Sequence, residues 1–228
     1  MCRNREQECC VMEPDHPLRQ LDGRPLGDGQ VLRLASLRRT PRSGWRAFEL
    51  ELERDGATCR PPVAQGLYSA GGRGVTPWIE LDAYRPQVDC AGRPAELAAT
   101  GADRALFGLL AGLLPPGGHL MLGCEGPAHR DDYLALCRGV PPAATRLGRL
   151  LLESGLLRVK FFALPEGGWE GQKKLWAEKP PDAAIARAWA EGTARELATF
   201  LGEAAADDPA RAGAAAAART VEAELSAL

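Results

Sequence analysis

The clearest alternation of apolar and polar positions runs through Trp45–Glu53, where Phe48, Leu50 and Leu52 alternate with Glu49, Glu51 and Glu53. A period of two puts one set of side chains on each face of a strand, so this stretch predicts a half-buried strand. Asp55-Gly56 follows it, a pair suited to a tight hairpin turn. Val31–Arg39 predicts the strand before it. The segment after the turn contains Pro61 and Pro62, which suits a sheet edge because proline cannot donate to a ladder. Beyond a Gly-rich turn, Val75–Tyr84 predicts another strand. In it Ile79, Leu81 and Ala83 face one way, and Trp78, Glu80, Asp82 and Tyr84 the other.

The period then changes. From Pro94 to Leu114, residues Leu97, Gly101, Ala105, Leu109 and Leu113 recur at four-residue steps, one face of a helix. Pro115, Pro116, Gly117 and Gly118 end it. His119–Cys124 predicts a short strand. Thr145 is placed to cap a second helix that runs to Glu153 and stops at Gly155. Leu157–Leu164 and Lys173–Ala177 predict a terminal hairpin joined by a Gly-rich turn. After Pro180 and Pro181 the chain turns Ala-rich. Asp182 is a candidate cap for a helix with the stripe Ile185, Trp189, Thr193, Leu197 and Phe200, and Asp208-Pro209 separates it from a last helix. The order implies a mixed α/β (α+β) sheet with helices laid against it. Residues 1–28 read as a loosely ordered lead-in, 29–180 as the α/β domain and 181–228 as a helical extension, a packing arm or a means of forming a homo-oligomer.

Composition narrows the function classes. The 228 residues have a formal net charge of −2, from 28 basic and 30 acidic residues, so no long-range field attracts nucleic acid or an anionic membrane. No stretch approaches the ~18 apolar residues of a membrane span, and MCRNREQECC has no apolar signal region. The seven cysteines form no CxxC and read as idle or buried thiols. The expectation is a soluble cytoplasmic protein with a small-molecule ligand, without nucleic-acid or membrane partners.

The strand PWIELDAY, the central helix after it, the strand HLMLGCE, the run TRLGRLLLESGLLRVKFF and the closing hairpin together resemble the GNAT (N-acetyltransferase) fold over about residues 30–180. More narrowly, WIELD, PPGGHLM, GVPPAAT-x-LG and EGGWEG-xx-KL-xx-EKP resemble a prokaryotic family of unknown function with a GNAT-like fold. The resemblance implies an acyltransferase that uses acetyl-CoA or another acyl-CoA. It places the donor phosphates near Gly92, Arg93 and Gly101, at the start of the central helix. The segments there read DCAGRP and TGAD, which differ from the usual loop of that fold, and the general-acid tyrosine often found before the late glycine is Leu151 here. LLPPGGHLML also resembles the strand approach of S-adenosylmethionine-dependent methyltransferases, an alternative that requires seven strands in a mainly parallel sheet. A non-catalytic ligand-binding or assembly protein on a degenerate GNAT-like fold is the other alternative.

The residues themselves offer several candidate groups. Carboxylates two apart on a strand stand about 7 Å apart. Glu80 and Asp82 are therefore candidates for a general base whose pKa is raised by its neighbour, with Trp78 and Tyr84 beside them to bind substrate. The same residues also suit a solvated sheet face. In EGGWEGQKK, glycines let the backbone approach a ligand, and Glu166, Trp169, Glu170 and Lys174 are candidate substrate-binding groups. Glu125, at the end of the strand HLMLGCE, is another. His119, Cys124 and His129 have the chemistry of metal ligands, but their spacing fits no standard zinc pattern, and no metal is expected. The cluster Arg38, Arg39, Arg42 and Arg46 is suited to an anion or to a solvated turn.

Overall fold

In the computed structural model the described residues are 15–72, 76–84, 101–123, 129–163 and 173–228. Eight strands form one sheet: β1 (Pro25–Gly27), β2 (Gln30–Arg39), β3 (Trp45–Arg54), β4 (Ala57–Ser69), β5 (Trp78–Tyr84), β6 (His119–Gly123), β7 (Arg158–Ala163) and β8 (Lys173–Glu178). Their order is β1-β2-β3-β4-β5-β6-β8-β7. Neighbours are antiparallel except β5 and β6, which run parallel. That topology is not mainly parallel, so the requirement for the methyltransferase alternative fails.

The β3 alternation is realised: Phe48, Leu50 and Leu52 are buried and pair with Leu37, Leu34 and Leu32 of β2, across a register shift between Leu34 and Ser36. Asp55 and Gly56 both take positive φ, 52° and 77°, as a twist-matched two-residue hairpin turn requires. One face of the sheet packs on α1 (Gly101–Leu113) and α3 (Arg146–Glu153) through Ile79, Leu81, Leu120, Leu122 and Leu175 against Phe107, Leu110, Leu147 and Leu151. Thr145 caps α3 as expected, its Oγ1 accepting from the Gly148 N–H at 3.1 Å, and Gly155 follows with φ +80°. A second cluster joins Ala143, Ala144, Leu152 and Leu157 to α4 (Ala183–Glu203) and α5 (Ala210–Ala227). No helix among the described residues is long and apolar enough to cross a membrane.

Several expectations are corrected. Of the lead-in, residues 15–28 are built into the fold. A 3₁₀ turn at Pro17–Leu21 and β1 bury Leu18, Leu21 and Leu26 in the main core. Pro61 and Pro62 lie in an internal strand, not at the sheet's edge. They fall where β4 loops past β3, between the pairs Leu52↔Cys59 and Leu50↔Ala64, and β5 begins to pair only at Ala64. The ladder therefore makes no demand on their missing N–H groups. Cys59 is disulfide-bonded rather than idle. α2 (Arg130–Cys137) is a helix with little apolar signal and had no counterpart in the pattern. The buried face of α4 is Ala186, Ala190 and Leu197, offset from the expected stripe, and Ile185 is 36 % exposed. Small side chains let α5 approach α4 closely, and this contact fixes the orientation of α4.

Candidate functional site

The strand bearing the two carboxylates is irregular. Opposite β4, Gln65 pairs with Ala83 and Gly66 with Leu81, so Asp82 is an extra residue and β5 bulges there. A bulge re-aims the side chains beyond it. Glu80 and Trp78 stay on the face away from α1, whereas Tyr84 rejoins Ile79 and Leu81 in the main core. The expectation that Trp78, Glu80, Asp82 and Tyr84 share one face therefore fails for Tyr84. Gly66 makes the irregularity possible, since a Cβ there would stand 1.8 Å from the Glu80 carbonyl oxygen.

Lys174 on β8 forms a buried ion pair with Glu80, and each residue is 7 % exposed. Its ammonium is 4.0 Å from Asp82, whose side chain is 57 % exposed. β6 lies between β5 and β8. Its Gly123 pairs with Lys174, and a Cβ there would stand 3.2 Å from the Asp82 carbonyl oxygen. Bare backbone thus floors the gap between Asp82 and Lys174. Partial burial holds the Asp82 carboxyl above its ordinary range, and the Glu80 charge adds to this while Lys174 opposes it. Among the described residues the last parallel rung between β5 and β6 is Leu81↔Leu122, and Asp82–Tyr84 follow it along β5.

An aromatic cluster stands beside the ion pair. Trp78 meets Trp45, Trp176 and His119 at centroid distances of 5.8, 5.0 and 6.3 Å, and His119 meets Trp176 at 4.8 Å. The ring nitrogens Trp78 Nε1, Trp176 Nε1 and His119 Nδ1 are buried without a hydrogen-bond partner among the described residues. Burial depresses the His119 pKa, against the pull of Glu178.

On the opposite face a buried polar chain joins the starts of three helices. The Tyr84 hydroxyl donates to Asp103 in the first turn of α1. Tyr84 stacks on His129, with ring centroids 5.7 Å apart and planes within 5°. His129 Nε2 donates to the Tyr84 carbonyl at 2.7 Å, and Arg146 Nη2 approaches its Nδ1 at 3.4 Å. Arg146 pairs with Asp132 at 3.3 Å. Burial, then the Asp103 charge and hydrogen bond, push the Tyr84 phenol well above its ordinary pKa, so it stays protonated near neutral pH. Burial lowers the pKa of His129, the Tyr84 carbonyl opposing and Arg146 assisting.

Glu80, Asp82, Trp78 and Lys174 therefore converge, whereas Tyr84 stands in the core. Gly101 opens α1, with open space around its Cβ position. Gly92, Arg93, Glu125, Glu166, Trp169 and Glu170 lie outside the described residues, as does Cys124. No group of three metal-ligating side chains occurs among the described residues. In the basic cluster, Arg42 lies over the Trp45 ring at 4.3 Å and Arg38 pairs with Glu49 at 3.5 Å. Gly66, Gly123, Asp103 and Arg146 are the site residues that the sequence pattern did not indicate.

Residues 29–204 match the model of a family described as a protein of unknown function, DUF1122. The fold is similar to the crystal structure of a protein of unknown function, AQ1966 from Aquifex aeolicus VF5. The TM-score is 0.64 and the identity 21 %, over 92 % of this chain and 96 % of that one. No curated protein matches the chain.

Proposed function

The chain belongs to the DUF1122 family of proteins of unknown function, so its activity has to be argued from its own residues, and we propose a GNAT-like acyltransferase that moves an acyl group from a CoA-type thioester to a small polar acceptor. The observation that carries the reading is Asp82. It sits on a bulge beyond the last described rung of the parallel β5–β6 pair, half exposed, with a raised pKa, beside a lysine already committed to Glu80. A carboxylate whose pKa is moved toward neutrality accepts a proton more readily than an ordinary one. In the proposed step Asp82 takes the proton of the acceptor's attacking O–H or N–H. The new bond to the acyl carbon forms, the C–S bond breaks, and CoA leaves as the thiolate. Glu80 holds Lys174, whose ammonium faces the negative charge that develops on the acyl oxygen. Trp78 contributes an apolar wall.

The strand order supports the same reading. An antiparallel meander leads to β5, a crossover containing α1 leads to the parallel β6, and β8 inserts between β6 and β7. Under this reading the donor phosphates lie at the N-terminal end of α1, where a Cβ on Gly101 would meet nothing within 4 Å. A second reading, a non-catalytic binding protein on the same sheet, is favoured by the burial of the Glu80–Lys174 pair, which clamps β5 to β8 whether or not any transfer occurs. A homo-oligomer through the C-terminal helices draws less support, because α4 and α5 bury their small apolar faces within their own chain.

Thermal unfolding with and without acetyl-CoA, CoA and S-adenosylmethionine tests the proposal. A ligand at 100 times its Kd adds about 2.7 kcal/mol to the native state, a rise of roughly 5–10 °C for a chain of this size. A shift with both CoA compounds and none with S-adenosylmethionine is the expected result. With a responsive acceptor in hand, Asp82→Asn then lowers kcat by roughly 10²–10⁴. If no CoA compound shifts the midpoint, acyl transfer is overturned and the binding reading stands.

A further inference from the structure

Among the described residues β7 is the last strand of the sheet, with β8 as its one paired neighbour. Alternate residues of such a strand direct their N–H and C=O groups outward, a row open to pairing. Among the described residues no backbone or side-chain group bonds to Arg158–Phe162 on that side. A cavity of about 590 Å³ runs there and is lined by all five of these residues. Successive side chains of a strand point to opposite faces, so contact with five in a row means that the cavity follows the backbone edge. Its other walls are α4, through Ala188, Trp189, Gly192 and Thr193, and the segment Gly139–Pro142 with Leu136. The α4 positions share one helix face, on which Trp189 and Thr193 are half-buried. Thr193 Oγ1 lies 3.3 Å from the Leu157 carbonyl oxygen, which fixes α4 alongside the strand. At Gly192 a Cβ would meet nothing within 4 Å.

The geometry points to a docking groove for an extended peptide that adds to β7 as a ninth strand, with an acidic side chain toward Lys160 and apolar ones toward Val159 and Phe161. The backbone edge selects the extended conformation, because only a strand satisfies outward N–H and C=O groups together. α4 and the Gly139–Pro142 segment stand beside β7, which obstructs edge-to-edge pairing with a second copy of this sheet. Five residues of β7 span about 16 Å, which sets the length at about five residues. The charge preference follows from the two cations of the strand. Arg158 pairs with Glu178 at 3.3 Å and lies over Trp189 at 5.4 Å, whereas Lys160 has no ion-pair partner among the described residues. Glu196 lies one helical turn beyond Thr193, toward the Leu157 end, so the acid of the ligand belongs at the Lys160 end.

The probe is the capped peptide Val-Asp-Val-Asp-Val, titrated calorimetrically into the full chain. Two analogues are N-methylated, one at the valines and one at the aspartates, and a third has lysine for aspartate. Binding is expected for the parent, with at least about a tenfold loss in one methylation frame, near-parent affinity in the other, and at least about a tenfold loss for the lysine peptide. Gly192→Trp, which fills the groove, is expected to remove binding, and circular dichroism reports whether its fold is intact. Lys160→Glu is a second variant and is expected to reverse the charge preference. Absence of parent binding at low millimolar concentration overturns the proposal. So do equal affinities in both methylation frames, or undiminished binding to a folded Gly192→Trp.

Discussion

Lys174 reaches diagonally across β6 to close on the carboxylate of Glu80, tying β8 to β5 over a strand that belongs to neither. Both groups are almost fully buried, so their attraction is set against the cost of removing two charges from water. Removing one partner leaves the other charge stranded. Lys174→Met or Glu80→Leu is expected to destabilise the protein by about 3–5 kcal/mol in urea unfolding, and the double variant by much less. Additive losses, with the double variant costing the sum of the two single variants, would show that the residues act independently and that the pair is not the unit of stability.

Asp82 gives a pH dependence of opposite sign to the usual carboxylate. Its native pKa lies above the ordinary 3.8, so between these two values the native state holds more proton than the unfolded chain. Stability from this group is therefore present at low pH and is lost as pH rises through that window. Asp82→Asn removes the loss. Melting temperatures of the two proteins should differ least at low pH, with the variant gaining as pH rises above 3.8.

His129 acts in the other direction on falling pH. Its Nε2–H donates to the Tyr84 carbonyl and its Nδ1 lone pair faces Arg146, so the neutral ring fits and a second proton would face a guanidinium. Its native pKa is below the ordinary 6.5. Stability is present above 6.5 and falls as pH drops below it, because the unfolded chain takes the proton first. His119, also depressed, adds to the same loss. His129→Gln keeps a donor for the carbonyl and should flatten part of this slope, leaving the His119 share. An unchanged slope would rule out the role of His129.

Two glycines make opposite predictions for the same substitution. Gly66→Ala drives a Cβ against the Glu80 carbonyl and should cost at least about 1–3 kcal/mol, with loss of the bulge geometry. Gly192→Ala points a methyl into open space within a helix and should add about 0.5–1 kcal/mol. Denaturant midpoints for the two variants check both.

Where a segment's own pattern decides its structure, the chain is readable. β3 alternates over Phe48, Leu50 and Leu52, and α3 has its cap at Thr145 and its stop at Gly155, and both stand as the pattern implies. The site is harder to read because its key step is an insertion against a partner strand. Whether Asp82 is the extra residue depends on Gly66, sixteen positions earlier, and nothing local to WIELDAY reveals that Tyr84 crosses to the other face. The α4 stripe fails for a related reason: its orientation is set by the close approach of α5, not by the largest apolar side chains. Lys174 and Glu80 were each recognisable as candidates, but their contact spans 94 positions and depends on the placement of β8 between β6 and β7.

The parallel junction between β5 and β6 also bears on how the chain assembles. Strands β1 to β5 join through short connections and can zip in sequence, each rung close along the chain. The rung between Trp78 and His119, by contrast, must close a loop of about forty residues, and β8 must arrive before Lys174 can meet Glu80. The sheet is therefore two blocks sewn along one late seam. The carboxylate site lies on that seam, so it comes into being only when the last stitch is made.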